Sequence, residues 1–153
     1  MRGFKGTVSL QIMKGTTPGD FLWTSYATPI IVSDKVLDIW KNFKKFTKYD
    51  VKIVGTEIPF QYHGIAVTGK GGPLDTRKSK ARYRKFEGEK FIMGLHGFYF
   101  YEDRWDGSDI FYLDDCPGAC IITEKVVKAM KKAKVTNCEY TPIEDVAFGR
   151  PAK

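Results

Sequence analysis

Two histidines, three cysteines and several paired carboxylates are the residues of this chain whose types could carry out chemistry. His63 and His96 each precede a glycine, and either could serve as an acid–base group or a metal ligand. A zinc site needs about four His, Cys or acidic ligands, usually closely spaced. Cys116 and Cys120 enclose three residues, and one distant histidine leaves that set short, so no metal site is expected. Cys116 follows Asp114 and Asp115, and acidic neighbours raise a thiol's pKa, which argues against a reactive nucleophile. With Cys138 the count is odd and no CxxC occurs, which points away from a disulfide framework and towards a reducing compartment.

The carboxylates Asp114-Asp115 and Asp103, Asp106 and Asp109 would need burial to work as acid–base pairs. Asp106 and Asp109 read instead as structural anchors beside Trp105, since aspartates accept hydrogen bonds from nearby backbone N–H groups in Asx turns. The run Thr68-Gly69-Lys70-Gly71-Gly72-Pro73 invites a phosphate-loop reading, but fits neither GxxxxGK[ST] nor GxGxxG and reads as a flexible connection. No GxSxG, SxxK or HExxH occurs. Nothing makes a positive case for an enzyme, and no cofactor is called for.

The most distinctive chemistry is basic. Within residues 74–90, Arg77, Lys78, Lys80, Arg82, Arg84 and Lys85 cluster around Tyr83 and Phe86. Such interleaving is one signature of single-stranded nucleic-acid binding. The alternation of Ala81 and Tyr83 with Arg82 and Arg84 also suits an edge strand guarded by its charges, and that reading is favoured. The chain's net charge is +7 with a pI of about 9.2, which would attract an acidic partner. Lysines are spread along the chain, so charge alone does not indicate nucleic acid.

The elements that must position these residues include a stretch used twice. Ile31-Val32-Ser33-Asp34-Lys35-Val36-Leu37 aligns without a gap on Ile121-Ile122-Thr123-Glu124-Lys125-Val126-Val127, and Trp40 falls on Met130. Each copy is a β-branched run suited to a strand, a hydroxyl N-cap, an acid in the first helical turn and an apolar stripe. Ser33, Thr123 and Trp40 are therefore structural candidates. Asp20-Phe21-Leu22-Trp23 resembles Asp109-Ile110-Phe111-Tyr112, one residue out of step, which adds Trp23. Alternation predicts a half-exposed strand over 4–13, and further strands over 49–54 and 59–68. Phe91–Met93 and Phe98–Tyr101 read as strands of a central sheet, 134–142 as a last strand, and 149–153 as a frayed tail. The fold class is α+β: a mixed or antiparallel sheet with two packed helices, in two related strand–helix–strand halves near 20–58 and 109–143 of a single domain, 1–153. No segment approaches the ~20 apolar residues of a membrane span and no secretory signal is visible, so a cytoplasmic location is expected.

Several runs carry a family resemblance. Trp105-Asp106-Gly107-Ser108-Asp109-Ile110-Phe111, followed by Ile121–Val126 and Lys134–Tyr140, resembles the C-terminal half of the immunity-protein-43-like family of bacterial polymorphic-toxin systems. Phe21-Leu22-Trp23 with Ile31–Leu37 resembles its N-terminal half, and Tyr62–Gly69, Leu74-Asp75 and Lys78-Ser79 its middle. The resemblance implies a small cytoplasmic protein that binds and neutralises a cognate toxin domain, with no reaction and no catalytic residues to carry over. The expected partner-facing residues are Arg77, Lys78, Lys80, Arg82, Tyr83, Arg84 and Phe86, with Tyr83 and Phe86 as anchors. The alternatives are a nucleic-acid-binding module using 77–90, and a small-molecule enzyme or sensor with His63 and His96 in a pocket between the halves. Oligomeric state is left open.

Overall fold

Three sheets and two helices form the protein in a computed structural model that describes residues 6–24 and 29–152. The first sheet runs in the order β1 (Thr7–Gln11), β4 (Phe46–Val54), β5 (Tyr62–Val67), β3 (Ile30–Ser33), β2 (Phe21–Leu22). It is mixed: β1 lies parallel to β4, and every other pairing is antiparallel. Helix α1 (Asp34–Trp40) leaves directly from β3. The second sheet has the order β10 (Cys116–Ile122), β9 (Ile110–Leu113), β6 (Gly69–Lys70), and β10 leads into α2 (Glu124–Lys132). The third is β11 (Ala147–Gly149), β8 (Glu89–His96), β7 (Arg82–Phe86). The class is α+β.

Both helix starts follow the residue types at their boundaries. The Ser33 hydroxyl accepts a hydrogen bond from the Val36 N–H (3.4 Å), filling one orphan donor of α1. Thr123 stands at the N-cap of α2 but accepts no such bond; its hydroxyl donates to Asp109 Oδ1 (2.6 Å). Helix α1 ends at Trp40, earlier than its apolar stripe suggested; Phe43 packs half-buried beyond it and Lys45 turns the chain with a φ of 80°. Helix α2 ends with Lys134 in the left-handed region and the Val135 N–H donating to Met130 O, a Schellman-type stop.

The apolar faces of the two helices meet over the first sheet. Val36, Leu37 and Trp40 of α1 and Val126 and Met130 of α2 join Phe21, Val32, Ile65 and Ile110 in one buried cluster. Trp40 Nε1 lies 3.4 Å from Met130 Sδ, so the two aligned positions of the repeated stretch touch each other. Truncating Trp40 to alanine would cost about 3–5 kcal/mol, the usual range for a buried tryptophan.

Several expected elements differ. The first strand alternates as expected, with Val8 and Leu10 half-buried; its predicted start, Phe4 and Lys5, lies outside the described residues. The glycine run is not a loose connection: Gly69–Lys70 is β6, parallel to β9, and Gly71 N–H donates to Tyr112 O (2.8 Å). Glycine is required there by space, because a Cβ on Gly69 would overlap Ile110 O and the Ser108 side chain, and one on Gly71 the Phe111 and Leu113 side chains. Residues 98–101 form no strand beyond a single bridge, Leu74 to Phe100, and β8 lies in a small peripheral sheet. Residues 134–142 form no strand either, since Asp20 and Phe21 draw their polar groups into side-chain hydrogen bonds. The expected frayed tail instead holds the end of β11, and the Ala152 N–H donates to Lys80 O (2.8 Å).

Candidate partner-binding surface

Residues 76–80 make a tight turn anchored by Asp75, whose Oδ1 accepts from the Lys78 N–H (3.0 Å) and whose carbonyl accepts from the Ser79 N–H (2.9 Å). Ser79 is fully buried, which leaves Arg77, Lys78 and Lys80 projecting from the turn's outer side. The chain then enters β7 and returns in β8 through Glu87 and Gly88, both at positive φ (49° and 84°). Two consecutive left-handed residues make a type I′ turn, whose twist matches that of the strands it joins.

This hairpin extends past the body of the protein. Every residue from Arg82 to Phe91 is exposed, so the distal part presents both of its faces to solvent. The register pairs Tyr83 with Ile92, Arg84 with Phe91, Lys85 with Lys90 and Phe86 with Glu89. Side chains alternate across a strand. Tyr83 and Lys85 therefore point to one face, Arg84 and Phe86 to the other. The two expected anchors do not form one patch. Tyr83 is the more covered of the two, and burial, with Asp115 and Cys116 nearby, pushes its phenol pKa up. Phe86 is 60% exposed and shares its face with Phe91 (47%) and Met93 (40%). Arg82 serves the base of the hairpin, its Nε donating to Arg150 O (2.7 Å).

Residues 76–96 hold seven lysines and arginines against two glutamates. Among the described residues none of those seven cations is ion-paired, whereas Lys35, Lys41, Lys45, Arg104 and Lys128 elsewhere each face a carboxylate. Sequence reasoning missed Phe91 and Met93 because they were assigned to a central sheet. The signal was present: Glu87-Gly88 separates two alternating runs of similar length.

The anchors expected around the repeat are tied into the body. Asp20 is buried, and its carboxylate accepts from Ser33 Oγ (2.7 Å), Lys35 Nζ (2.8 Å), Thr136 N (2.8 Å) and Thr136 Oγ1 (3.1 Å). Burial works to raise its pKa, but the bonds from Lys35, Ser33 and Thr136 prevail and hold it below the ordinary 3.8. Trp23 is 66% exposed, stacked on Phe21 with its Nε1 donating to Asn137 O (2.7 Å). Trp105 Nε1 donates to Ser108 O (3.1 Å), and Asp106 accepts from the Ser108 N–H (3.0 Å) in an Asx turn and from the Lys70 N–H (3.2 Å). Asp109 accepts from Thr123, as described above.

The histidines do not converge. His63 is buried on β5, with Nε2 2.6 Å from Asp34 Oδ1, while His96 is exposed at the end of β8 in another sheet. A cavity of about 320 Å³ lined by Phe21, Trp40, Cys120, Met130, Cys138 and Tyr140 includes neither of them. Burial pushes the Cys120 thiol to about 12, and Cys116 to about 11 with help from Asp115, so both thiols are held in the unreactive protonated form. Among the described residues no group of three or more His, Cys, Asp or Glu is placed to hold a metal, and no helix is long and apolar enough to cross a membrane.

Comparison with known proteins adds one finding. The model of an immunity protein family, Imm11, matches residues 14–145. No curated protein matches the chain. The match agrees with the resemblance to an immunity-protein family of toxin systems, under the description Imm11 where the sequence runs had suggested the 43-like family.

Proposed function

This chain belongs to the Imm11 immunity protein family, and on that premise we propose that it binds and neutralises a cognate bacterial toxin by protein–protein contact, without catalysis. The family match carries the reading, and the geometry of the basic segment supports it. Exposed, unpaired cations next to exposed aromatics are the residue types that protein interfaces concentrate. We assign the partner-facing role to Arg77, Lys78, Lys80, Arg82, Tyr83, Arg84 and Phe86, in the cytoplasm, where a producing cell needs protection.

We further read the chain as one domain, 1–153, built from two related halves near 20–58 and 109–143. The support is local. In each half an aspartate carbonyl accepts from the N–H of the cap residue (Asp20 from Ser33, 2.8 Å; Asp109 from Thr123, 2.9 Å), and its carboxylate accepts from the same residue's hydroxyl. The one-residue offset seen in the sequence lies inside the intervening hairpin and leaves this pairing intact.

Co-expression tests the function. Where a neighbouring gene encodes a toxin domain, cells carrying that domain should survive when the chain is present and die when it is absent. Equal killing with and without the chain would reject the immunity reading. A nucleic-acid role predicts affinity for single strands that falls linearly with salt on logarithmic axes.

A further inference from the structure

We infer that the β7–β8 hairpin is an insertion arm: residues 82–91 enter a groove on the toxin that is acidic at its rim and apolar at its floor. The inference rests on the immunity reading and identifies the surface and the partner's chemistry. Three observations carry it. First, both faces of residues 82–91 are exposed. An isolated two-stranded hairpin is at best marginally stable in water, and three strands with a covered face are the usual minimum. Among the described residues this arm has no such cover beyond Ile92 and the partial burial of Tyr83, and a partner's groove would supply it.

Second, one face carries Phe86, Phe91 and Met93, each 40% exposed or more, with Arg84 directly across from Phe91. A cluster of aromatics, methionine and arginine is what interface centres bury. Third, Lys85 and Lys90 are opposed across the strands of the other face, with no carboxylate paired to either among the described residues. Like charges in direct opposition destabilise a hairpin. The arrangement is unfavourable in the free protein and becomes favourable when acidic groups of a partner lie between or beside the two ammonium groups. Among the described residues β7 is also an edge strand of its sheet, so its backbone can accept a strand of the groove wall.

The chemistry restricts the partner. A groove that receives this arm carries negative charge, the opposite of the basic channel with which proteins grip phosphate backbones. The blocked toxin surface is therefore not a nucleic-acid-binding cleft.

The test uses the full chain and a purified, inactive variant of the toxin domain from which the chain protects cells in the co-expression test. Binding kinetics are measured at low and high salt, together with hydrogen exchange on the unmodified chain. Arg84→Glu with Lys85→Glu should slow association at least tenfold and flatten its salt dependence. Phe86→Ala with Phe91→Ala should speed dissociation tenfold or more. In the wild-type complex, the amides of residues 82–91 should gain protection, a readout that needs no variant to fold. If both double variants bind within twofold of wild type and protection falls elsewhere, the arm is refuted while toxin binding stands. If the wild-type chain neither binds the toxin nor rescues cells, the immunity reading fails and the arm with it. If a single-stranded oligonucleotide binds the arm as tightly as the toxin does, the assigned partner class is wrong.

Discussion

The two helix-start units use the same residue types and carry different loads. In the first, Asp20 holds Ser33 and Lys35 locally and reaches Thr136, which follows α2. Ser33 is at once its donor and the cap of α1. In the second, the Asp109 carboxylate holds Thr123, and the α2 N-terminus goes without a side-chain cap. The first unit fastens the N-terminal hairpin to the segment after α2; the second steadies its own hairpin. A repeated motif thus sets local geometry alike in both places, while the surroundings decide how much of the molecule depends on it.

Removing the two acids should expose this asymmetry most strongly. Asp20→Ala strips a buried acceptor from Ser33 and Thr136, while half-exposed Lys35 can turn to water. A loss of about 2–3 kcal/mol is expected in urea unfolding, against about 1 kcal/mol for Asp109→Ala. Equal losses would mean that the bonds to Thr136 contribute nothing.

Acid titration gives the next effect. The folded pKa of Asp20 lies below its ordinary 3.8, so the carboxylate's stabilisation is complete above that value. It is lost as pH falls from there through the folded pKa. Thermal unfolding followed from pH 6 down to pH 2 should show a steeper decline for wild type than for Asp20→Asn; matching slopes would remove Asp20 from the explanation of acid sensitivity.

The caps should differ less. Ser33→Ala loses a cap and a donor to Asp20, for about 1–2 kcal/mol, whereas Thr123→Ala loses only the bond to Asp109, for about 0.5–1 kcal/mol. Reversal of that order in paired melts would contradict the assignment of the cap to Ser33 alone.

The smallest effect lies on the arm, which contrasts with both units. Lys85→Glu replaces a repulsive cross-strand pair with an attractive one opposite Lys90, so the free protein should gain a few tenths of a kcal/mol. The same change should weaken toxin binding. A variant that loses both stability and binding would show that Lys85 serves the fold.

Much of the architecture was readable locally. The apolar stripes placed Val36, Leu37, Trp40, Val126 and Met130 in the core, and the hydroxyl residues marked where both helices begin. The alternation of 7–11 and the charge-guarded edge at 82–86 were equally readable. Residues 147–149 were missed as a strand because three exposed residues show no period, and their pairing with β8 is made across about fifty residues of sequence. The glycines at 69 and 71 looked flexible because a sequence shows no neighbouring backbone; Ile110 and Leu113 supply the steric reason.

By itself the sequence determined where helices start, which faces are greasy and where positive charge gathers, since caps, periodicity and charge are properties of neighbouring residues. Only the tertiary structure decided that Phe91 and Met93 share a face with Phe86, that Lys85 confronts Lys90 and that Asp20 reaches Thr136. Those outcomes depend on strand register and on contacts between distant segments, which are set by which surfaces can be buried together.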